Sequence, residues 1–144
     1  MNESRVLVVS HEKEIADLLC IFLELYGFEP ETATDSTTGI ERARELSPGI
    51  LIVDPIMPVL SGVDVAARVF REQKCRAVLF LGTMATHPFY RDAMEVLRAE
   101  GCECRALGMP VDRNDLLRKL KLLGLAAYRK PPLEPSEHTV RKTK

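Results

Sequence analysis

The chain has 144 residues, 46% of them apolar and 28% charged, with a formal net charge of −1. That length suits one domain with a core of its own, and so even a charge balance singles out neither nucleic acid nor an anionic membrane surface as partner. No apolar run approaches the roughly 18 residues of a membrane span.

Met1 to Arg5 leads directly toward a strand, with no signal-peptide pattern. The four cysteines, Cys20, Cys75, Cys102 and Cys104, form no Cys-x-x-Cys pair and have no paired histidine motif beside them. They read as reduced thiols of a cytoplasmic protein. A soft metal at Cys102-x-Cys104 is the weaker alternative to ordinary packing.

Arg5 to Val9 is a short apolar strand. Ile15, Leu18, Leu19, Phe22 and Tyr26 then fall on one stripe of an amphipathic helix, which Gly27 closes. Phe28 to Thr34 is a more polar strand that belongs near an edge. Asp35 or Ser36 caps a helix running through Leu46, with Ile40, Ala43 and Leu46 inward. Ser47-Pro48-Gly49 is a turn.

Ile50 to Val53 is a run of four branched apolar residues, as expected of a strand covered on both faces. It stops at Asp54, and Pro55, Pro58 and Gly62 break the backbone into a loop. Val65, Ala66, Val69 and Phe70 mark the next helix, Val63 to Gln73. Ala77 to Leu81 is another buried strand. A helix from about Pro88 to Glu100 carries Ala93, Met94, Val96 and Leu97, and Gly101 ends it. Cys104 to Leu107 is the last strand. Asp112 to Leu123 is the last helix, with Leu116, Leu117, Leu120 and Leu123 inward.

Strand and helix alternate five times, which argues for a parallel sheet with helices on both faces. Right-handed crossovers leave few topologies. The flavodoxin-like order 2-1-3-4-5 puts a switch point between the first and third strands, with Asp54 beside the crevice. Residues 1–124 form this domain. Residues 125–144 contain Pro131, Pro132 and Pro135 and no apolar period. Five basic against two acidic residues give that tail +3, leaving −4 on the rest. It is expected to be disordered, and no attached output domain is evident.

Asp54, Met57-Pro58 and Gly62 spell Asp-x-x-Met-Pro-x-x-x-Gly. This resembles the phosphoacceptor loop of two-component response-regulator receiver domains, and the strand–helix order from residue 4 to 124 fits the same family. The resemblance implies that Asp54 is the phosphoacceptor position. It implies an acidic pair closing the first strand, where Ser10 and His11 stand instead. It implies a Ser or Thr after the fourth strand, met by Thr83, or by Gly82 in an equally good alignment. It implies a lysine before a proline after the fifth strand, where Met109 precedes Pro110. The family's switch aromatic falls at Arg105 or Ala106, neither of them aromatic. His87-Pro88-Phe89-Tyr90 adds length between Thr83 and Met109.

Magnesium takes hard oxygen ligands, so Ser10 and His11 are poor replacements for two carboxylates. Glu12 is the weak remaining metal candidate; its carboxylate is expected instead to cap the first turn of the helix. A lone His11 more often makes a structural hydrogen bond than a metal bond. Other chemistries lack their motifs. Ser10-His11-Glu12-Lys13 is no dinucleotide-binding glycine loop. Its neighbour Glu14 adds to the charge that a flavin phosphate would avoid. Ile56 stands where an aspartate phosphohydrolase needs a second carboxylate. Ser10-His11 has no nucleophile elbow.

The expectation is an atypical, stand-alone receiver: not an enzyme, without a cofactor, cytoplasmic, acting through a protein partner such as a histidine kinase. A homodimer through the fourth helix, fifth strand and fifth helix is a further expectation, and nucleic acid is not an expected partner. The rival reading is a regulator phosphorylated on Asp54 by a histidine kinase, which would need magnesium.

Overall fold

The computed structural model describes residues 2–82 and 88–122. Thr83, His87 and the tail from Leu123 onward, and with them the proposed boundary at residue 124, lie outside the described residues. Ten elements alternate: β1 (Asn2–Val9), α1 (Lys13–Leu25), β2 (Glu29–Ala33), α2 (Ser36–Leu46), β3 (Pro48–Val53), α3 (Gly62–Gln73), β4 (Ala77–Leu81), α4 (Pro88–Ala99), β5 (Glu103–Leu107) and α5 (Arg113–Leu122). The five strands form one parallel sheet in the order β2-β1-β3-β4-β5, the flavodoxin-like order expected from the alternation.

Hydrophobic burial places the helices. Leu7, Val9, Leu51, Val53, Val78 and Phe80 face one side of the sheet, where α2, α3 and α4 cover them with Ile40, Ala43, Val65, Val69, Met94 and Leu97. Val6, Val8, Ile50, Ile52, Leu79 and Leu107 face the other side, under α1 and α5. All six residues of β3 are buried, as a central strand covered on both faces requires.

Two helix stripes are phased differently from the sequence reading. On α1 the buried residues are Ala16, Leu19 and Leu23, while Leu18 is 37% exposed. This helix carries apolar residues around most of its circumference, so spacing alone does not fix which of them turn inward. On α4, Met94 and Leu97 are buried but Val96 is 54% exposed, because its position lies roughly 100° around the helix from Leu97 and about 160° from Met94. The turn residues Pro48 and Gly49 also prove to be the start of β3.

Asp35 is the cap of α2: its carboxylate accepts the Thr38 N–H at 2.8 Å, and this holds the carboxyl group below the ordinary aspartate range. The strand register matters most for function. Val9 lies beside Val53, Val53 beside Phe80, and Leu81 beside Leu107. The carboxyl ends of β1, β3, β4 and β5 therefore share one edge, and Ser10, Asp54, Gly82 and Met109 follow from that edge.

Candidate functional site

The loop after β3 is built by tight backbone contacts. Asp54 accepts the Ile56 N–H through Oδ1 at 3.0 Å, a local turn typical of aspartate. The Gly62 N–H reaches back to the Pro55 carbonyl at 2.9 Å. A Cβ on Gly62 would run into the Asp54 carbonyl and the Pro55 Cα, so glycine is needed there for closeness. The α3 helix then starts with the Ser61 hydroxyl accepting the Asp64 N–H. Ser36 is a site residue that the sequence reading missed. It is 2% exposed, and its hydroxyl donates to the Leu60 carbonyl at 2.7 Å, tying this loop to α2. Its signal was hidden because a serine at a helix start reads as a cap. Val59 in the same loop has φ 73° and is 93% exposed, an uncommon backbone for a β-branched residue.

The first strand supplies the opposite wall. Ser10 is fully buried. Its N–H donates to the Ala33 carbonyl, and its Oγ accepts the Glu12 N–H at 3.2 Å. The hydroxyl thus folds the chain between β1 and α1. His11 follows, with Nδ1 at 3.5 Å from Asp54 Oδ2; its side chain is 43% exposed against 19% for Asp54. Glu12 sits at the N-cap of α1, but its carboxylate makes no capping hydrogen bond. That corrects the expected role. Instead His11, Glu12 and Asp54 each offer a ligand atom within 4.8 Å of the others. Glu12 thus lines the crevice.

A cleft of about 220 Å³ opens at this edge, lined by Glu12, Ile15, Asp54, Pro55, Leu81, Gly82 and Met109. Met109 brings a thioether where a cation was sought, and the Met109-Pro110 peptide is cis. Gly82 has φ 87°, and its N–H donates to the Leu107 carbonyl. Gly82, one of the two alignments for the fourth-strand position, stands in the cleft wall; Thr83, the other, lies outside the described residues. Arg105 and Ala106 are half-buried on β5, and Ala106 packs against the α3–α4 side of the core. No ring fills either position.

The family model for the response regulator receiver domain matches residues 6–120. The chain belongs to the response regulator receiver domain family. The chemotaxis protein CheY4 of Vibrio cholerae has a similar structure, with a TM-score of 0.71 and 27% identity over 83% of this chain and 97% of that one. A receiver domain protein from Clostridium thermocellum gives 0.67 and 29% over 83% and 92%. The DNA-binding response regulator MtrA of Mycobacterium tuberculosis is 36% identical over 67 residues, 46% of this chain and 29% of that protein. The phosphate regulon regulator PhoB of Escherichia coli is 31% identical over 74 residues, 51% and 32% respectively. The chain spans less than a third of these two curated relatives. No helix among the described residues is long and apolar enough to cross a membrane.

The receiver resemblance implies magnesium at the Asp54 edge, and the donors here fit it poorly. The Ser10 hydroxyl is buried and engaged, His11 presents nitrogen, and one Asp54 oxygen is taken by Ile56. Magnesium needs oxygen ligands in near-octahedral array.

Three of the four cysteines lie away from this site. Cys75, Cys102 and Cys104 are buried free thiols near the opposite, amino-terminal edge of β4 and β5, with the Cys102 and Cys104 sulfurs 3.8 Å apart. The Cys104 contact lowers the Cys102 thiol, but contact with Cys75 and burial outweigh it and push it up to about 12. Cys104 is pushed up as well, by the Cys102 contact and by burial.

Proposed function

We propose that this receiver domain is a protein-interaction module whose contacts do not depend on magnesium-assisted phosphorylation of Asp54. One observation carries the reading: Asp54 stands in the crevice beside His11 and Met109, with the buried Ser10 closing β1. Phosphoryl transfer depends on positioning and on stabilising the charge that spreads over the transferred group. Here the positioning loop is intact, while two carboxylates that would hold a metal and one cation are replaced. The small Ala106 and the polar Arg105 supply no ring to follow a phosphoryl-driven rearrangement.

In this reading the domain works in the cytoplasm, is not an enzyme, and presents the face of α4, β5 and α5 to a protein partner or a second copy. The partner is a signalling protein of the histidine-kinase pathway. The test is incubation with acetyl phosphate and magnesium, followed by intact mass and peptide mapping. Absence of label on Asp54 is the expected result; stoichiometric label on Asp54 overturns the reading.

A second reading, phosphorylation of Asp54 by a histidine kinase, draws support from the Glu12 carboxylate. It lies close to Asp54 and is free of a capping bond, so it could stand in for a lost acid. The labelling experiment on the Glu12→Gln variant separates the two, since only the second reading makes label depend on Glu12.

A further inference from the structure

Three protein donors converge at the crevice, and one of them, the His11 imidazole, offers nitrogen where magnesium takes oxygen. His11 Nδ1 and Asp54 Oδ2 are 3.5 Å apart. Around a tetrahedral ion with bonds of about 2.0–2.2 Å, neighbouring ligand atoms sit roughly 3.4 Å apart. The pair is therefore already at the bite of a zinc-class ion without rearrangement. Glu12 adds a third ligand atom within 4.8 Å. Its exposed carboxylate has no capping hydrogen bond to give up. The local cation offers no competition: Lys13 is held by Asp17 at 2.8 Å.

We propose that the crevice binds a divalent late first-row transition-metal ion, of the zinc class, through His11 Nδ1, Glu12 and Asp54, in place of magnesium. This rests on the reading that Ser10 and His11 leave magnesium poorly held. Imidazole nitrogen with two carboxylates suits zinc, nickel or copper, whereas all-oxygen sets suit magnesium. Three protein ligands leave a position for water or a partner's side chain. The ion thereby joins the β1–α1 turn to the β3–α3 loop.

The experiment uses the full chain, freed of metal and affinity tag. Zinc and magnesium are titrated separately by calorimetry, and cobalt serves as a probe whose visible absorption reports its coordination. The His11 ring resonances are followed by NMR. The expected result is one zinc bound per chain, roughly a hundredfold or more tighter than magnesium, with the His11 ring shifted. His11→Asn and Asp54→Asn, each checked for an unchanged fold by amide spectra, should each weaken zinc binding at least ~10-fold. Zinc binding unaltered in both variants places the ion elsewhere and overturns the proposal. Absence of zinc binding overturns it too, while leaving the functional reading above intact. Submillimolar magnesium binding at the same residues overturns both.

Discussion

The two walls of the Asp54 crevice have diverged to different extents. The β3–α3 wall keeps Asp54, Met57, Pro58 and Gly62, with the Gly62 N–H on the Pro55 carbonyl and the Ser36 hydroxyl on the Leu60 carbonyl. The wall from β1 and β5 has Ser10, His11 and Met109 at the positions where the family resemblance implies charge. Among the retained residues, Gly62 is the one whose replacement would break the backbone path of the loop. Of the replaced ones, Met109 lines the cleft and His11 is half-exposed beside Asp54, whereas Ser10 is buried and its hydroxyl accepts the Glu12 N–H. Fold and phosphate chemistry make separable demands, and in the reading proposed above this chain meets the first more fully than the second.

The largest expected effect falls on the retained wall. Gly62→Ala sets a methyl group against the Asp54 carbonyl and the Pro55 Cα, with backbone on both sides and nothing flexible to yield. Overpacking of this kind costs about 3 kcal/mol. Urea denaturation of the variant measures it; a loss well under 1 kcal/mol would mean that the loop moves easily and is not what glycine protects.

The replaced wall answers to charge. In the double variant Ser10→Asp with His11→Asp, the two new carboxylates join Glu12 and Asp54, so four crowd one crevice, one of them at a position with no exposure. Without metal the variant should be less stable by about 2 kcal/mol, from desolvation and like-charge repulsion. Magnesium should restore much of that, since a ligand bound only by the folded state stabilises it. Denaturation curves with and without magnesium give the comparison directly. An unchanged stability in both conditions would show that the wall does not converge on Asp54.

Asp115 tests how the β5 side is anchored. Its carboxylate accepts from Arg118 at 2.7 Å, Lys119 at 3.2 Å and the Gly108 N–H at 3.4 Å, so it tethers the loop that carries Met109. Burial alone pushes its carboxyl up, but the hydrogen bonds from Lys119 and Arg118 outweigh burial and hold it below the ordinary aspartate range. A folded-state pKa below the unfolded value, about 4, gives stability that is complete above the unfolded value. That stability fades as pH falls through the folded one. Asp115→Asn should therefore cost about 1 kcal/mol at neutral pH and progressively less in acid. Equal cost at all pH values would assign the effect to shape instead of charge.

Much of the fold is legible in the sequence for a physical reason. Ile50 to Val53 can be satisfied only by burial on both faces, and the alternation of short apolar runs with helical stripes leaves few topologies. Helix phase is less legible where apolar residues ring the helix, as at Leu18. Within the site, Asp54 is marked by its place at the end of a buried strand. Glu12 was assigned a capping role because that is the local option for an acid at a helix start. In the structure that carboxylate makes no cap and lies beside Asp54 and His11, a convergence of two loops that spacing does not reveal. Ser36 was obscure for a similar reason, since its partners Pro58 and Leu60 are more than twenty residues away.

The smallest expected effect is at Asp54 itself, and it bears most directly on whether the crevice switches anything. Asp54→Asn keeps an oxygen able to accept the Ile56 N–H, so the loop should hold its shape. It removes the charge that faces His11. A ligand or modification shifts a conformational balance only through contacts that differ between the two states. With Met109 in place of a cation, and no aromatic at Arg105 or Ala106, those differential contacts are scarce. The affinity for a protein partner, measured in chelator so that no metal contributes, should change by less than about 1 kcal/mol, under roughly tenfold. A substitution on the outward face of α4 should weigh more if that face is the interface. Val96→Glu is the suitable choice, because Val96 is exposed whereas Arg98 is engaged with the Cys104 carbonyl at 2.7 Å. If Asp54→Asn abolishes binding in a folded protein while Val96→Glu leaves it intact, Asp54 is still the switch and the replaced wall retains the function it was read to have lost.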